Sequence, residues 1–267
     1  NNTIKGNIVH DNQNPGISIR ESSENNSITD NWIANSTGEF GVYLLESNHN
    51  FFKNNTVEGC SAGIRIHATE YTTVINNTFE LNEVGISLRY GHYSIISDNF
   101  ISSSLNYGIR LERTASCDIC DNVIYNSFYD GIRLLDNGRY NDIHSNEIRE
   151  SSRYGINVDD SNVHNNTVYQ NYFINNNMNA VDNGTDNYWD NGTIGNYWDD
   201  YTGYDRDLDG IGDFTYSISG TAKSVDRYPI WENQQDLTVS KLWTFTTSGD
   251  VYSSPALGDI DEDGRLE

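Results

Sequence analysis

Residues 96–112 read I-S-D-N-F-I-S-S-S-L-N-Y-G-I-R-L-E, and residues 119–135 read I-C-D-N-V-I-Y-N-S-F-Y-D-G-I-R-L-L. The second stretch repeats the first 23 positions later. In both, apolar residues stand three before and two after an Asn. A Gly further on opens an apolar-polar-apolar alternation. Working outward, the Asn recurs at Asn7, Asn31, Asn55, Asn77, Asn99, Asn122, Asn146 and Asn171. The Gly recurs at Gly16, Gly41, Gly63, Gly85, Gly108, Gly131 and Gly155. Steps of 22 to 25 residues separate successive members of each series. Two markers that keep one period define an internal repeat, the signature of a solenoid.

The alternation after each Gly has period two, which marks a strand with one buried face. One coil of this length cannot bury its apolar side, whereas stacked coils can. Stacking at about 4.8 Å, the spacing of paired strands, sets equivalent residues above one another. The fold expected is all-β, a parallel β-helix with 22–25 residues per coil. Three polar columns are then expected to form ladders. The first is the anchor Asn itself. The second lies five before it: Asn2, Asn26, Asn50, Thr72, Ser94, Cys117, Asn141 and Asn166. The third lies five after it: Asn12, Ser36, Cys60, Asn82, Ser104, Ser127, Ser151 and Asn176. Buried polar stacks are tolerable when they satisfy one another.

Composition narrows the function. The 267 residues carry 39 acidic and 16 basic side chains, a net charge of −23. Phosphate backbones need clustered positive charge, so nucleic acid is not an expected partner. No run of 18 apolar residues suggests a membrane-spanning helix. Three Cys exclude a disulfide scaffold. The 37 Asn and 22 Gly favour turns and strands over helices. Eight N-x-S/T sequons, at Asn1, Asn25, Asn35, Asn54, Asn76, Asn165, Asn183 and Asn191, are in keeping with an exported glycoprotein. Asn1 falls inside a coil. We therefore expect a monomeric module of a larger surface protein, located outside the cell, on its surface or in the periplasm.

The repeats over residues 1–185 resemble the right-handed parallel β-helix repeats of carbohydrate-binding and sugar-hydrolysing proteins, and within them the NosD-like periplasmic copper-binding group. Right-handedness is what that resemblance implies. Residues 186–230 are similar in order to the closing motif of NosD-like β-helices. They run through Gly195-Asn196-Tyr197-Trp198-Asp199-Asp200-Tyr201, an Asp-rich turn, and Asp226-Arg227-Tyr228-Pro229. Such aromatics suit a cap over the open end, where an uncovered solenoid exposes strand edges. Residues 231–240 read as a linker. Residues 241–267 resemble the start of an FG-GAP-type β-propeller blade. That likeness implies an incomplete calcium loop at Asp259, Asp261, Asp263 and Glu267.

Four sets of residues carry candidate chemistry. In D-x-D-x-D-G-x-G-D, alternate carboxylates converge on a tight loop, and hard calcium prefers oxygen ligands. The ligands expected are Asp205, Asp207, Asp209, Asp213 and the carbonyl of Ile211. It is not an EF-hand, because Tyr216 stands where the bidentate Glu belongs. Copper favours His, Met and Cys. Met178 is the single Met and the six His are scattered, so copper is not expected. Cys117 replaces a small polar residue in its ladder, and Cys120 sits in a neighbouring column with His144 one coil on; that pair could hold a metal, but without a second pair a structural role is expected. Asp98 and Asp121 stack just before the anchor and are the weak catalytic candidates; close carboxylates can share a proton or a metal. The fourth set is a stripe after the Gly column: Arg20, Tyr43, Arg65, His67, Arg89, Arg110, Glu112 and Arg133. Arg forks bind carboxylates and sulfates in a bidentate way, though ion pairing with Glu112 competes. The reading preferred is a calcium-stabilised, non-catalytic module that binds polysaccharide or cell-envelope material. The alternatives are a polysaccharide lyase, hydrolase or epimerase, a surface-layer spacer and, last, a copper-binding accessory protein.

Overall fold

The computed structural model describes residues 1–36, 38 and 40–231. Three short strands per coil carry the chain around each repeat. The first sheet stacks eight parallel strands, from Thr3–Lys5 to Thr167–Tyr169. The second stacks nine, from Ile8–His10 to Tyr197–Trp198. The third stacks eight, from Ile17–Arg20 to Met178–Asp182. This is a right-handed parallel β-helix, and no helical segment occurs among the described residues. Register keeps like over like: Ile109 pairs with Ile86 and Ile132, and Leu111 with Leu88 and Leu134. The interior columns, such as Phe52, Val74, Ile96, Ile119 and Ile143, are fully buried.

The anchor Asn column forms a continuous ladder. Asn122 is typical. Its Nδ2 donates to Asn146 Oδ1 at 2.9 Å, to the carbonyl of Ile96 at 2.8 Å and to that of Cys120 at 2.9 Å. Its Oδ1 accepts the backbone amide of Asn99 at 3.0 Å and Asn99 Nδ2 at 2.9 Å. The second column does the same at Asn2, Asn26 and again at Asn141, Asn166. The carboxamide chain is broken at Thr72, Ser94 and Cys117, although the Ser94 hydroxyl still accepts the Thr72 amide at 3.2 Å and Asn141 Oδ1 that of Cys117 at 3.1 Å. The third column departs from expectation. Asn82 accepts the amide of Cys60 and Asn176 that of Ser151. The hydroxyls of Ser36, Ser104, Ser127 and Ser151 have no protein partner. In this column a carboxamide reaches the next coil and the serine hydroxyls do not.

The corners explain two other columns. Asp98 and Asp121 have φ of 54° and 56°, as do Asp30 and Asn54 at 58° and 55° in the same column. Asn and Asp tolerate this left-handed turn better than other residues with a Cβ. At Gly108 a Cβ would lie 2.5 Å from Ile124 Cγ2 and 2.6 Å from the carbonyl of Gly131. The Gly column thus lets the third sheet approach the side chains of the second.

The closing segment is part of the same unit, Asn1–Trp231. Tyr197–Trp198 joins the second sheet beside Tyr172–Ile174. Trp198 is buried between Phe173, stacked at 4.4 Å, and Tyr216, stacked at 4.2 Å. Asn196 extends the ladder by one rung, and Asp226 ends it. Asp226 Oδ2 accepts the Asn196 amide at 2.7 Å and Trp198 Nε1 at 2.9 Å, and Oδ1 accepts the Tyr228 amide at 3.0 Å. Asp190 is clamped by Arg227 through Nε at 2.9 Å and Nη2 at 2.6 Å. Trp231 is tied to the cap through Gly210 and Gly203. The remaining linker and the segment with Asp259, Asp261, Asp263 and Glu267 lie outside the described residues.

Candidate functional site

The outer face of the third sheet assembles the stripe. One column runs Tyr43, Arg65, Ser87, Arg110, Arg133 and Asn157 in strict register. The next outward column runs Leu45, His67, Arg89 and Glu112. Alternation along a strand puts both columns on one face. Glu112 is buried between Arg89 Nε at 2.8 Å and Arg110 Nη2 at 2.9 Å. Arg133 pairs with Asp159 at 2.8 Å, bonds the Tyr107 hydroxyl and lies over its ring. The competing ion pairs therefore form, but they neutralise only part of the stripe. Arg65 donates to Ser87 Oγ at 2.9 Å and has no carboxylate partner among the described residues. Burial, then Arg110 and Arg89, push the Arg65 guanidinium down in pKa, with Glu112 opposing. Burial, then Arg65 and Arg89, push His67 down as well. Arg20 bonds Ser18 and lies 5.0 Å from the Tyr43 ring, whose hydroxyl is 3.4 Å from His67 Nδ1. The face concentrates positive charge on an acidic protein: Arg89 and Arg110 share Glu112, and Arg65 stands beside them.

Beside it lies a residue the sequence reading missed. Asp130 sits between Tyr107 and Tyr154 along the third sheet, where other coils place Val84, Ala62 and Phe40. It is fully buried; Asn157 donates to its Oδ2 at 2.9 Å. Burial raises its pKa, against the pull of Asn157, Arg153 and Arg133. The signal available in the sequence was a single charge in an apolar or aromatic column.

Asp98 and Asp121 occupy the corner between the first and second sheets, away from the stripe's sheet. Asp121 lines a shallow cavity of ≈ 340 Å³ with Val123, Ser145, Glu147 and Tyr172. No acid–base pair is singled out there, and their left-handed backbone accounts for the residue type.

The Asp-rich turn draws oxygens of Asp205, Asp207 and Asp209 within 4.8 Å of one another. Asp205 accepts the amides of Leu208 at 2.7 Å and Gly210 at 2.8 Å. Desolvation raises Asp205, but those amides outweigh it and hold the carboxyl below its usual range. The neighbouring Asp209 pushes Asp207 up. Asp213 accepts the Arg206 amide at 3.1 Å, and Ile211 bridges to Ile230. Three of the expected ligands are thus brought together, and Asp213 serves the turn itself.

A second donor group has mixed chemistry. Atoms of Asp118, Cys120 and His144 also lie within 4.8 Å of one another. His144 Nε2 is 3.1 Å from Asp118 Oδ1. Burial, then Asp118 and the other nearby carboxylates, push the Cys120 thiol up to about 12. Cys117 points inward, with its thiol 3.5 Å from the Gly91 carbonyl.

The family profile described as periplasmic copper-binding protein (NosD) matches residues 1–57 and 36–203. The chain belongs to this family. None of the curated proteins matches it in sequence. Among solved structures it is similar to the Azotobacter vinelandii mannuronan C-5 epimerase AlgE6 A-module, with a TM-score of 0.63 and 14% identity over 72% of this chain and 57% of that one. It is also similar to the Agl-KA catalytic domain, with a TM-score of 0.53 and 14% identity over 73% of this chain and 40% of that one. The chain thus spans 57% of the first relative's length and 40% of the second's, and at such identity they share its fold. The copper in the family description can be set against the donors present. Asp118, Cys120 and His144 supply the thiol and imidazole that a borderline transition metal takes.

Proposed function

We propose that this protein is an exported β-helix module whose third-sheet face binds an anionic polysaccharide without cleaving it. The observation that carries this reading is Arg65, a half-buried guanidinium crowded by Arg89 and Arg110 and paired with no carboxylate among the described residues. An incoming uronate or sulfate would supply the missing negative charge through a bidentate contact. Coil spacing of about 4.8 Å repeats that offer along an extended chain. The Tyr43 and Tyr107 rings give apolar surface beside it. The argument rests on this face rather than on the fold shared with a mannuronan epimerase. The periplasmic family description supports an exported location.

The test measures binding of a polyuronate and of a sulfated polysaccharide. Arg65→Ala with Arg110→Ala is expected to weaken affinity about ten-fold or more, since charged hydrogen bonds contribute about 1.5–3 kcal/mol. Arg89 remains to hold Glu112, so the fold should survive. Unchanged affinity in a folded double variant contradicts the proposal.

An enzyme reading is favoured by one observation, the buried Asp130 carboxyl near Tyr107 and Arg133, which burial pushes up in pKa. Such a group is a candidate acid or base. It is fully buried here, which favours binding over catalysis. Shortened or unsaturated products that vanish in Asp130→Asn would reverse that preference.

Calcium at Asp205, Asp207 and Asp209 belongs to the same proposal, as a brace on the cap. Calcium at about a hundred times its dissociation constant is expected to raise Tm by roughly 5–10 °C, and Asp207→Ala to abolish the rise. Equal Tm with calcium and with chelator would make the loop a plain acidic turn.

A further inference from the structure

We propose that Asp118, Cys120 and His144 form a binding site for a borderline divalent transition-metal ion of the zinc type on the outer face of the first sheet. The sequence lays out the geometry. Asp118–Cys120 and Asp142–His144 are adjacent strands in register, so D-x-C stands over D-x-H. Alternation turns Asp118 and Cys120 outward around the buried Ile119. The register sets His144 over Cys120. Three corners of a square then hold oxygen, sulfur and nitrogen, with their donor atoms within 4.8 Å of one another. Ligands about 2.0–2.3 Å from a common centre stand about 3.3–3.8 Å apart in a tetrahedron, and the 3.1 Å between His144 Nε2 and Asp118 Oδ1 is close to that spacing. Asp142, exposed and in register with Asp118, stands at the fourth corner.

The ring of His144 is oriented independently of the metal. It stacks on Tyr169 at 4.9 Å, and its Nδ1 lies 3.2 Å from Ser145 Oγ. This leaves Nε2 toward Asp118, the arrangement in which an outer partner fixes a metal-binding imidazole. Asp118 Oδ1 is shielded from solvent and accepts no well-aligned hydrogen bond. The coils on either side end the donor set: Ser97 precedes Cys120 and Tyr169 follows His144 in the same column. Thiolate and imidazole favour zinc-type ions over calcium, which prefers oxygen alone. With three protein donors fixed, the fourth position is left to the exposed Asp142 or to water. This site is independent of the arginine face, which lies on another sheet.

The probe is cobalt(II), added to the metal-free full chain. Binding is expected to produce a thiolate-to-cobalt charge-transfer band and intense visible bands, both removed by zinc and not by calcium. Cys120→Ser should lose the charge-transfer band, whereas Cys117→Ser should keep it. Melting of each variant without metal reports whether it folds. Asp118→Asn, at a partly exposed position, provides a second variant with an expected loss of about ten-fold or more in cobalt affinity. No charge-transfer band in the wild-type chain, the same band in folded Cys120→Ser, or full affinity in Asp118→Asn would each overturn the site.

Discussion

Replacing Asn122 with Ala is expected to destabilise the β-helix by about 4 kcal/mol, combining unsatisfied buried groups at about 1–3 kcal/mol each with a small cavity. Asn122 is fully buried, and five hydrogen bonds meet at its carboxamide. Its loss leaves the Asn99 amide proton without its acceptor in a place water does not reach. Asn122→Asp should be at least as harmful. It keeps an acceptor but turns the donor into a carboxylate oxygen facing the carbonyls of Ile96 and Cys120. Asn162→Ala serves as the comparison, because Asn162 is exposed and only its backbone amide is bonded, to Asp160. That change should stay within about 0.5 kcal/mol. Urea unfolding of the three variants decides the matter. If Asn122→Ala behaves like Asn162→Ala, the ladder is not what holds the coils in register.

The second large effect concerns Asp226, the ladder's last rung. Burial pushes its carboxyl up to about 6, against hydrogen bonds from Asn196, Trp198 and Tyr228. The folded protein therefore holds this proton more tightly than the unfolded chain does. The stabilisation is complete below the unfolded value of 3.8 and is lost as pH rises through about 6. Near pH 7 the ionised, buried carboxylate costs about 3 kcal/mol relative to its protonated form. Asp226→Asn should remove this dependence. The stability difference between wild type and Asp226→Asn is expected to change between pH 4 and 7 and to level off above. Asp226→Ala should be harmful at every pH, since it strands the Asn196 amide and Trp198 Nε1. A wild-type and Asp226→Asn difference that is flat with pH would contradict the raised pKa.

The fold was legible because a solenoid writes its geometry as a period. Asn and Gly recur where the chain needs a carboxamide rung or a close approach, and the apolar columns follow. What periodicity cannot supply is reach. Ser104 and Asn82 share a column, yet only the carboxamide spans to the neighbouring coil. Asp226 stands in the closing motif, but its place as the last rung was not legible for a related reason, since it joins the ladder from outside the repeat, 30 residues after Asn196. At the candidate sites, columns predicted which residues share a face but not how charges pair. Arg89 and Arg110 converge on Glu112, while Arg65 is left over; only side-chain placement separates them. Cys120 and His144 were placed one coil apart from sequence. Asp118 joins them because its turn outward is set by Ile119 turning inward.

The most direct measurement mixes the intact protein with a full-length polyuronate at low and at high salt and follows both on a sizing column. Co-elution with polymer of undiminished length, lost at high salt and in Arg65→Ala with Arg110→Ala, is the expected result. Separate elution at low salt would contradict binding by the arginine face, and shortened polymer would contradict a module that binds without cleaving.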